Sequence, residues 1–368
     1  PGVVLDDLNA AAEAHGLRVG PDPSTHSRCT LGGMIGNNAC GAHSVVWGTT
    51  AQNILGLDVI RADGTHVRLT SPGAPARPAD PDWPELDGPL AYELRAFTAS
   101  HEELIRRELP AWPRRVSGYA LDWLLPERGP DHAKALVGTE GTCAVVARAV
   151  VRLVRPPAAR ALLVLGFRDE IEGADAVPAL LTAEPYTVES LSAELLALAH
   201  ARAKDVGLPD GGAWLMVEAR AQDAAGARTH ARALAASIGR TLDAPDVRLI
   251  EDPPALAALW QIREDGAGHS ARFADGTRGW PGFEDSAVPP ERLGAYLTEL
   301  RALLAEHGMQ AVSYGHYGEG CIHLRVGFGL GEAGGASRYA RFLSDAADLV
   351  VRHGGSLSGE HGDGRSRG

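Results

Sequence analysis

The stretch "YGHYGEGCIHLRV", residues 314–326, decides how the second half of this chain folds. His316 and His323 are seven residues apart. In one unbroken strand that odd spacing would put them on opposite faces. Gly318 and Gly320 supply a turn between them, so the strand can fold back and let both imidazoles converge. After the turn, Ile322, Leu324 and Val326 fall on one face, and His323 and Arg325 on the other. The pattern predicts a hairpin with an apolar face and a basic, imidazole-bearing face. The latter suits a metal ion that meets an anion. Two hairpin histidines with ordinary hydrogen bonds fit the same letters.

Around the hairpin, residues 158–335 alternate strand and helix. "RALLVLGF", "AWLMVEAR" and "DVRLIED" read as strands, and "AAGARTHARALAASIG" and "PPERLGAYLTELRALLAEHG" as helices. In the last of these, Leu293, Tyr296, Leu297, Leu300, Leu303 and Leu304 form one stripe for core packing. This predicts an α+β domain, an antiparallel sheet covered by helices. Arg263 lies in a helical run expected to break at Gly266. Its guanidinium fork suits a carboxylate, and an exposed helix-end arginine is the alternative.

A further helix near 337–353 leads into "SGEHGDGRSRG", residues 358–368. Glu360 can add a carboxylate to the two histidines, giving three protein ligands and an open position. His361, expected to point away from its neighbour, is then left as an acid/base. A flexible terminal loop is the other reading of these residues.

Residues 1–157 have a different texture, rich in glycine and short strands. "PGVVLDDLNAAAEAHG" reads as a helix with Val4, Leu5, Leu8 and Ala12 on one face and Gly16 as C-cap. "ILGLDVIRADGTHVRL" reads as a hairpin about Asp63-Gly64. "CAVVARAVVRLVRPP" reads as a second strand pair, ended by Pro156-Pro157. A proline-rich loop, "RPADPDWPELDGP", precedes a helix near 92–108. "PDPSTHSRCTLGGMIGNNACGAHSVVWG", residues 21–48, is dense in glycine and asparagine. Such backbone can approach a ligand closely and offer N–H donors to anionic oxygens. The turn at Gly138 and Gly141 has the same character. Each segment alone also fits an ordinary tight loop.

The 368 residues carry a formal net charge of -12, which argues against a nucleic-acid partner. The longest apolar runs, such as "ALLVLGF", are too short to span a bilayer, and no signal peptide opens the chain. Cys29, Cys40, Cys143 and Cys321 form no C-x-x-C pair. That excludes a zinc ribbon or cluster motif within this stretch and points to a thiol-reducing cytoplasm. Each cysteine is read as a small buried apolar residue. No Walker A motif is present, which argues against a P-loop nucleotide site.

Taken together and in this order, these segments resemble the flavin-dependent 2-hydroxy acid dehydrogenases of the vanillyl-alcohol-oxidase type. That group contains D-lactate dehydrogenase, D-2-hydroxyglutarate dehydrogenase and glycolate oxidase. The likeness covers essentially the whole chain and is closest to the branch with a fused C-terminal iron–sulfur domain. It implies a PCMH-type FAD-binding domain, of which 1–157 is the second lobe, and a ferredoxin-like α+β substrate domain over 158–335. Residues 336–368 would form a helix and an active-site loop that completes the FAD site.

The implied FAD contacts are Pro21, Asp22, Pro23, Ser24, Gly32, Gly33, Asn37, Asn38, Gly41, Ala42, His43, Ser44, Gly48, Glu140, Gly141 and Val146. The implied ligands of a divalent metal, Zn or Mn, are His316, His323 and Glu360. His361 becomes the base and Arg263 the carboxylate anchor. Arg325 stands where the D-2-hydroxyglutarate branch usually shows Asn, and Ala267 where that branch tends to carry a hydroxyl. A guanidinium at 325 favours an acid with a second anionic group.

The implied activity is oxidation of a D-2-hydroxy acid to a 2-oxo acid, with an unassigned electron acceptor and peripheral membrane association left open. A first FAD lobe is expected before Pro1 and an iron–sulfur domain after Gly368, so this stretch alone is expected to fold poorly and bind FAD weakly. Two rivals use the same His/His/Glu set. One is a flavin-free metal-dependent hydrolase, and the other a non-catalytic binding domain with a structural metal.

Overall fold

Pro156 and Pro157 lack the N–H donors that a strand needs, and they separate two structural units. The computed structural model describes residues 1–109, 112, 114–201, 203, 206–238 and 246–364. Residues 365–368 of the closing motif lie outside the described residues. The first unit is Pro1–Pro156 with Glu360–Gly368, and the second is Pro157–Gly359.

In the first unit, α1 (Leu5–Glu13) buries Leu5 and Ala12, and Gly16 follows in the left-handed region at φ +66°. After β1 (Arg18–Val19), α2 (Leu31–Asn37) starts at Thr30, whose hydroxyl accepts from the Gly33 N–H. Two short helices follow, α3 (Ser44–Trp47) and α4 (Thr50–Asn53). The hairpin about Asp63-Gly64 forms as β2 (Ile54–Ile60) and β3 (His66–Thr70), with Ile60 opposite His66. Helix α5 (Gly88–Glu108) begins earlier than the apolar pattern suggested, because Pro89 sits in its first turn. Then come α6 (His132–Leu136), β4 (Val145–Val151) and β5 (Leu153–Val154).

The stretch 143–157 is not a strand pair. β4 joins β2 in the sheet β3-β2-β4, while β5 pairs with β1. Only Arg152 separates the two strands, and one residue cannot reverse a chain. Its N–H donates to the Asn53 carbonyl at 2.7 Å, and the strand passes from one sheet to the other. Ile35, Ile54, Leu57, Val59, Leu69 and Val137 form the core behind the larger sheet.

The second unit follows the alternation of its sequence: β6 (Ala159–Phe167), α7 (Glu170–Leu181), β7 (Thr187–Ser192), α8 (Ala193–Leu198), β8 (Ala213–Ala221), α9 (Ala224–Ile238) and β9 (Asp246–Ile250). Then come α10 (Pro253–Glu264), α11 (Gly266–His269), α12 (Leu293–Glu306), β10 (Ala311–His316), β11 (Cys321–Val326) and α13 (Gly335–Arg352). The sheet order is β11-β10-β7-β8-β6-β9, and every neighbouring pair is antiparallel. Alternation along each strand feeds two cores. Leu163, Leu165, Val217, Ile322 and Leu324 face α7, α9, α12 and α13. Leu162, Val164, Met216 and Tyr314 face α8 and α10.

Helix α13 packs into the second unit through Phe342, Ala346, Leu349 and Val350, while the chain from Glu360 on goes with the first. The expected segment 336–368 is thus divided between the two. Cys40 and Cys321 are buried, but Cys29 is half-buried and Cys143 exposed, so the all-buried reading of the cysteines fails. Cys143 lies in the turn that leads into β4, where Val145 is exposed as well. Among the described residues, no helix is long and apolar enough to cross a membrane.

Candidate active site

In the hairpin β10–β11, His316 lies opposite Cys321 and His323 opposite Tyr314. Both histidines therefore project from one face, two residues apart in register. Their rings meet edge to face with centroids 5.2 Å apart. The reversal is a single 3₁₀ turn, Tyr317–Glu319, closed by Gly320 at φ +69°. A Cβ at Gly320 would lie 1.8 Å from the Val288 carbonyl oxygen, so only glycine serves there. Ile322, Leu324 and Val326 enter the core on the opposite face.

Each histidine has a buried carboxylate beside its Nδ1. For His316 it is Glu189 of β7, at 2.7 Å. For His323 it is Asp285, at 3.6 Å, which also accepts from the Ser358 hydroxyl at 2.8 Å. Asp285 belongs to an extended segment that runs along β11. There Leu324 N–H donates to the Glu284 carbonyl at 3.1 Å and Ile322 N–H to that of Ser286 at 2.9 Å. An imidazole hydrogen-bonded to a buried carboxylate, as His316 is to Glu189, is the usual arrangement of a metal-ligating histidine, and the charged Asp285 lies near His323 beyond hydrogen-bond reach, so this donor set fits a divalent cation.

Arg263, near the end of α10, is 6% exposed, so it is not the surface arginine of the alternative reading. Its Nη2 lies 2.6 Å from Glu189 Oε2, and its guanidinium sits over the Tyr314 ring at 5.0 Å. The contact with Glu189 is an ion pair without hydrogen-bond geometry, and neither Nη2 nor the Nε–H of Arg263 has a hydrogen-bond partner among the described residues. A buried, unanswered guanidinium N–H suits an incoming carboxylate. The helical run is interrupted beside Gly266, as expected. It caps at Asp265 and resumes as α11, where a Cβ at Gly266 would press on Leu195 and Tyr314. Arg325 pairs with the Glu284 carboxylate and is half-buried.

In the first unit, the glycine-rich loop and the 138–141 turn come together. Gly138 N–H donates to the Ile35 carbonyl and Glu140 N–H to that of Gly36, each at 2.9 Å. Asn38 adopts the left-handed region at φ +53°, and its side chain accepts from the Ala51 N–H at 2.9 Å. Gly41 donates to the Ser44 hydroxyl at 2.9 Å, and a Cβ there would lie 2.4 Å from the Asp22 backbone. Gly48 holds φ +76° after α3.

Asp22 engages His43 through the ring Nδ1 and accepts from the His43 backbone N–H at 3.2 Å. Burial raises the Asp22 pKa, but His43 and Arg18 outweigh it and hold the carboxyl below its usual range. Pro21 is buried, Pro23, Gly32 and Ala42 are half-buried, and Ser24 and Gly33 are exposed. Val146 pairs with Val59 in the sheet. A Cβ at Gly141 would meet nothing within 4 Å, and one at Gly36 only the Glu140 Cα at 3.9 Å. Bare backbone of this kind fits the close approach of a flat ring such as a flavin.

The closing loop is tied down within the same unit. Glu360 pairs with Arg114, which is fully buried and donates through its other Nη to the Gly41 carbonyl at 2.9 Å. Asn37 Nδ2 donates to the Glu360 carbonyl at 2.7 Å. Glu140 Oε1 accepts from the N–H groups of Asp363 and Gly364 at 2.9 and 3.1 Å. Asn37 and Glu140, both expected along the cofactor, thus give their side chains to this loop. His361 does not point away from its neighbour. The chain bends over 359–361, and His361 Nε2 lies 3.6 Å from Glu360 Oε1.

Sequence reasoning missed Glu189, Asp285 and Arg114. The signal for Glu189 was an acid inside the strand "TVESLS", between the buried apolar Val188 and Leu191 with only Ser190 intervening.

Residues 156–367 match the family model for the C-terminal domain of FAD linked oxidases, and residues 1–70 match that of an FAD binding domain. The chain is 27% identical over 380 residues to the D-2-hydroxyglutarate dehydrogenase of Pantoea ananatis, covering 99% of this chain and 37% of that one. It is 28% identical over 370 residues to the D-lactate dehydrogenase of Archaeoglobus fulgidus, covering 99% of this chain and 67% of that one. Among solved structures, p-cresol methylhydroxylase aligns with a TM-score of 0.61 at 12% identity, over 99% of this chain and 68% of that one. The last is a likeness of fold.

Proposed function

Because the chain belongs to the family of FAD-linked oxidases, we propose that it is part of a flavoenzyme that oxidises a D-2-hydroxy acid to the 2-oxo acid. The substrate is of the D-lactate or D-2-hydroxyglutarate type, the classes named for its relatives. One observation carries this reading: the buried Arg263, with an unanswered Nε–H, is linked through Glu189 to the His316–His323 pair. An anion anchor beside two imidazoles, one of them hydrogen-bonded to a buried carboxylate, suits a substrate that offers a carboxylate and an adjacent hydroxyl.

Flavin supplies the two-electron acceptor for the Cα hydride, and the divalent ion supplies a Lewis acid that acidifies the hydroxyl. Arg263 holds the substrate carboxylate and fixes its orientation. His316, His323 and Glu360 are the proposed metal ligands, and His361 takes the hydroxyl proton. The glycine-rich loop over 21–48 and the 138–141 turn cradle the flavin half of the FAD. Arg325 selects for a second anionic group on the acid. The flavin-free hydrolase loses ground because both family matches describe FAD proteins.

The test is colour and its loss. Full-length protein should purify yellow, and anaerobic addition of D-lactate or D-2-hydroxyglutarate should bleach the flavin, with turnover restored by a dye acceptor. A colourless preparation, or a flavin that no 2-hydroxy acid reduces, refutes the reading.

A further inference from the structure

Glu189 sits in the interior strand β7, 1% exposed, where the sheet calls for an apolar side chain. Its neighbour on the same face, Leu191, and its cross-strand partner, Met216, are both buried apolar residues. A carboxylate in such a place costs stability unless its lone pairs are answered. Its two oxygens are divided. Oε1 meets His316 Nδ1 at 2.7 Å and accepts from the Thr187 hydroxyl at 3.3 Å. Oε2 forms an ion pair with Arg263 Nη2 at 2.6 Å, close in charge but without hydrogen-bond alignment.

From this division, and resting on the metal and substrate roles proposed above, we infer that Glu189 is the positioning residue shared by the metal ligand His316 and the anchor Arg263. A carboxylate can only accept, so it holds the proton on His316 Nδ1 and leaves Nε2 with the lone pair that a metal needs. The second oxygen holds the guanidinium over Tyr314, so Arg263 keeps one orientation and presents its remaining N–H groups to an anion. One side chain thereby sets the ligand tautomer and the anchor geometry together. Three different elements supply the three groups: β7, β10 and α10.

The test uses full-length holoenzyme carrying Glu189→Gln, which keeps the shape but can no longer accept at both ends. Titration with Zn²⁺ or Mn²⁺ against a competing chelator should show metal affinity about 10–100-fold weaker. Excess metal should restore kcat but leave KM for the hydroxy acid raised, because Arg263 is still unguided. Glu218→Gln is the packing control. It alters another fully buried carboxylate of this sheet, one that accepts from the Trp260 indole at 3.2 Å. It should lower the melting temperature without changing metal affinity.

Glu189→Asp, which keeps the charge one methylene short, should bind metal with intermediate affinity, and it carries the comparison if Glu189→Gln fails to fold. A folded Glu189 variant with wild-type metal affinity and KM overturns the inference and leaves the flavoenzyme reading standing. Wild-type protein that takes up no metal overturns the metal reading itself, and the inference with it.

Discussion

Replacing Arg114 with Met asks how firmly one buried cation holds the loop that carries Glu360 and His361. Arg114 is fully buried, and the Glu360 side chain is 12% exposed. The substitution takes the guanidinium from Glu360 and a donor from the Gly41 carbonyl at once. Deleting one partner of a buried ion pair costs about 3–5 kcal/mol. For a unit of this size each kcal/mol lowers the melting temperature by about 2–4 °C, so the variant should melt roughly 6–20 °C lower. Thermal unfolding of full-length protein reads the shift. A double-mutant cycle with Glu360→Gln separates the pair from the general loss of packing. If the guanidinium acts through Glu360, the two changes together should cost clearly less than their sum. Additive effects within about 0.5 kcal/mol, or an Arg114→Met protein that melts with the wild type, refute the reasoning.

His323→Ala should lose metal and turnover together, and a fully active variant with unchanged metal content would show the site misassigned. Arg325→Ala should raise KM for a dicarboxylic hydroxy acid far more than for lactate, and equal losses would remove Arg325 from specificity. Asp22 has a folded pKa below its unfolded one, so its stabilisation is present above about pH 4 and is lost as the pH falls through the folded value. Asp22→Asn should therefore melt below wild type at neutral pH and converge with it in acid, whereas a constant gap across that range would exclude Asp22 from the acid response.

What the sequence made legible was parity. Alternation along 314–326 placed two histidines on one face and three aliphatic side chains on the other, because strand period and turn position are local properties. The stripe of α12 and the hairpin about Asp63-Gly64 were legible for the same reason. Partners were not. Glu189 is 127 residues from His316, and Arg114 is 246 from Glu360, so only the folded chain says which buried charge answers which. The direction of His361 was misread because alternation applies to extended backbone, and that loop is bent. The supposed strand pair at 143–157 failed on a single missing turn: Arg152 alone separates β4 from β5.

The Arg263–Glu189 and Arg301–Glu170 pairs lie on opposite faces of the second unit's sheet, and comparing them separates structure from function. Arg301 of α12 pairs with Glu170, and its other donors reach the Ala311 carbonyl at 3.5 Å and the Ser313 hydroxyl at 3.4 Å. The second oxygen of Glu170 accepts from Ser313. Every guanidinium nitrogen there has an acceptor, as a pair that only holds α7, α12 and β10 together requires. Arg263 is more deeply buried than Arg301, yet its Nε–H is unanswered. Leaving a buried donor open costs stability that a fold has no packing reason to give up. The closed pair serves the architecture. The open pair, joined through Glu189 to an imidazole, is where an outside acceptor completes the hydrogen bonding, and a substrate carboxylate is the acceptor that matches its charge.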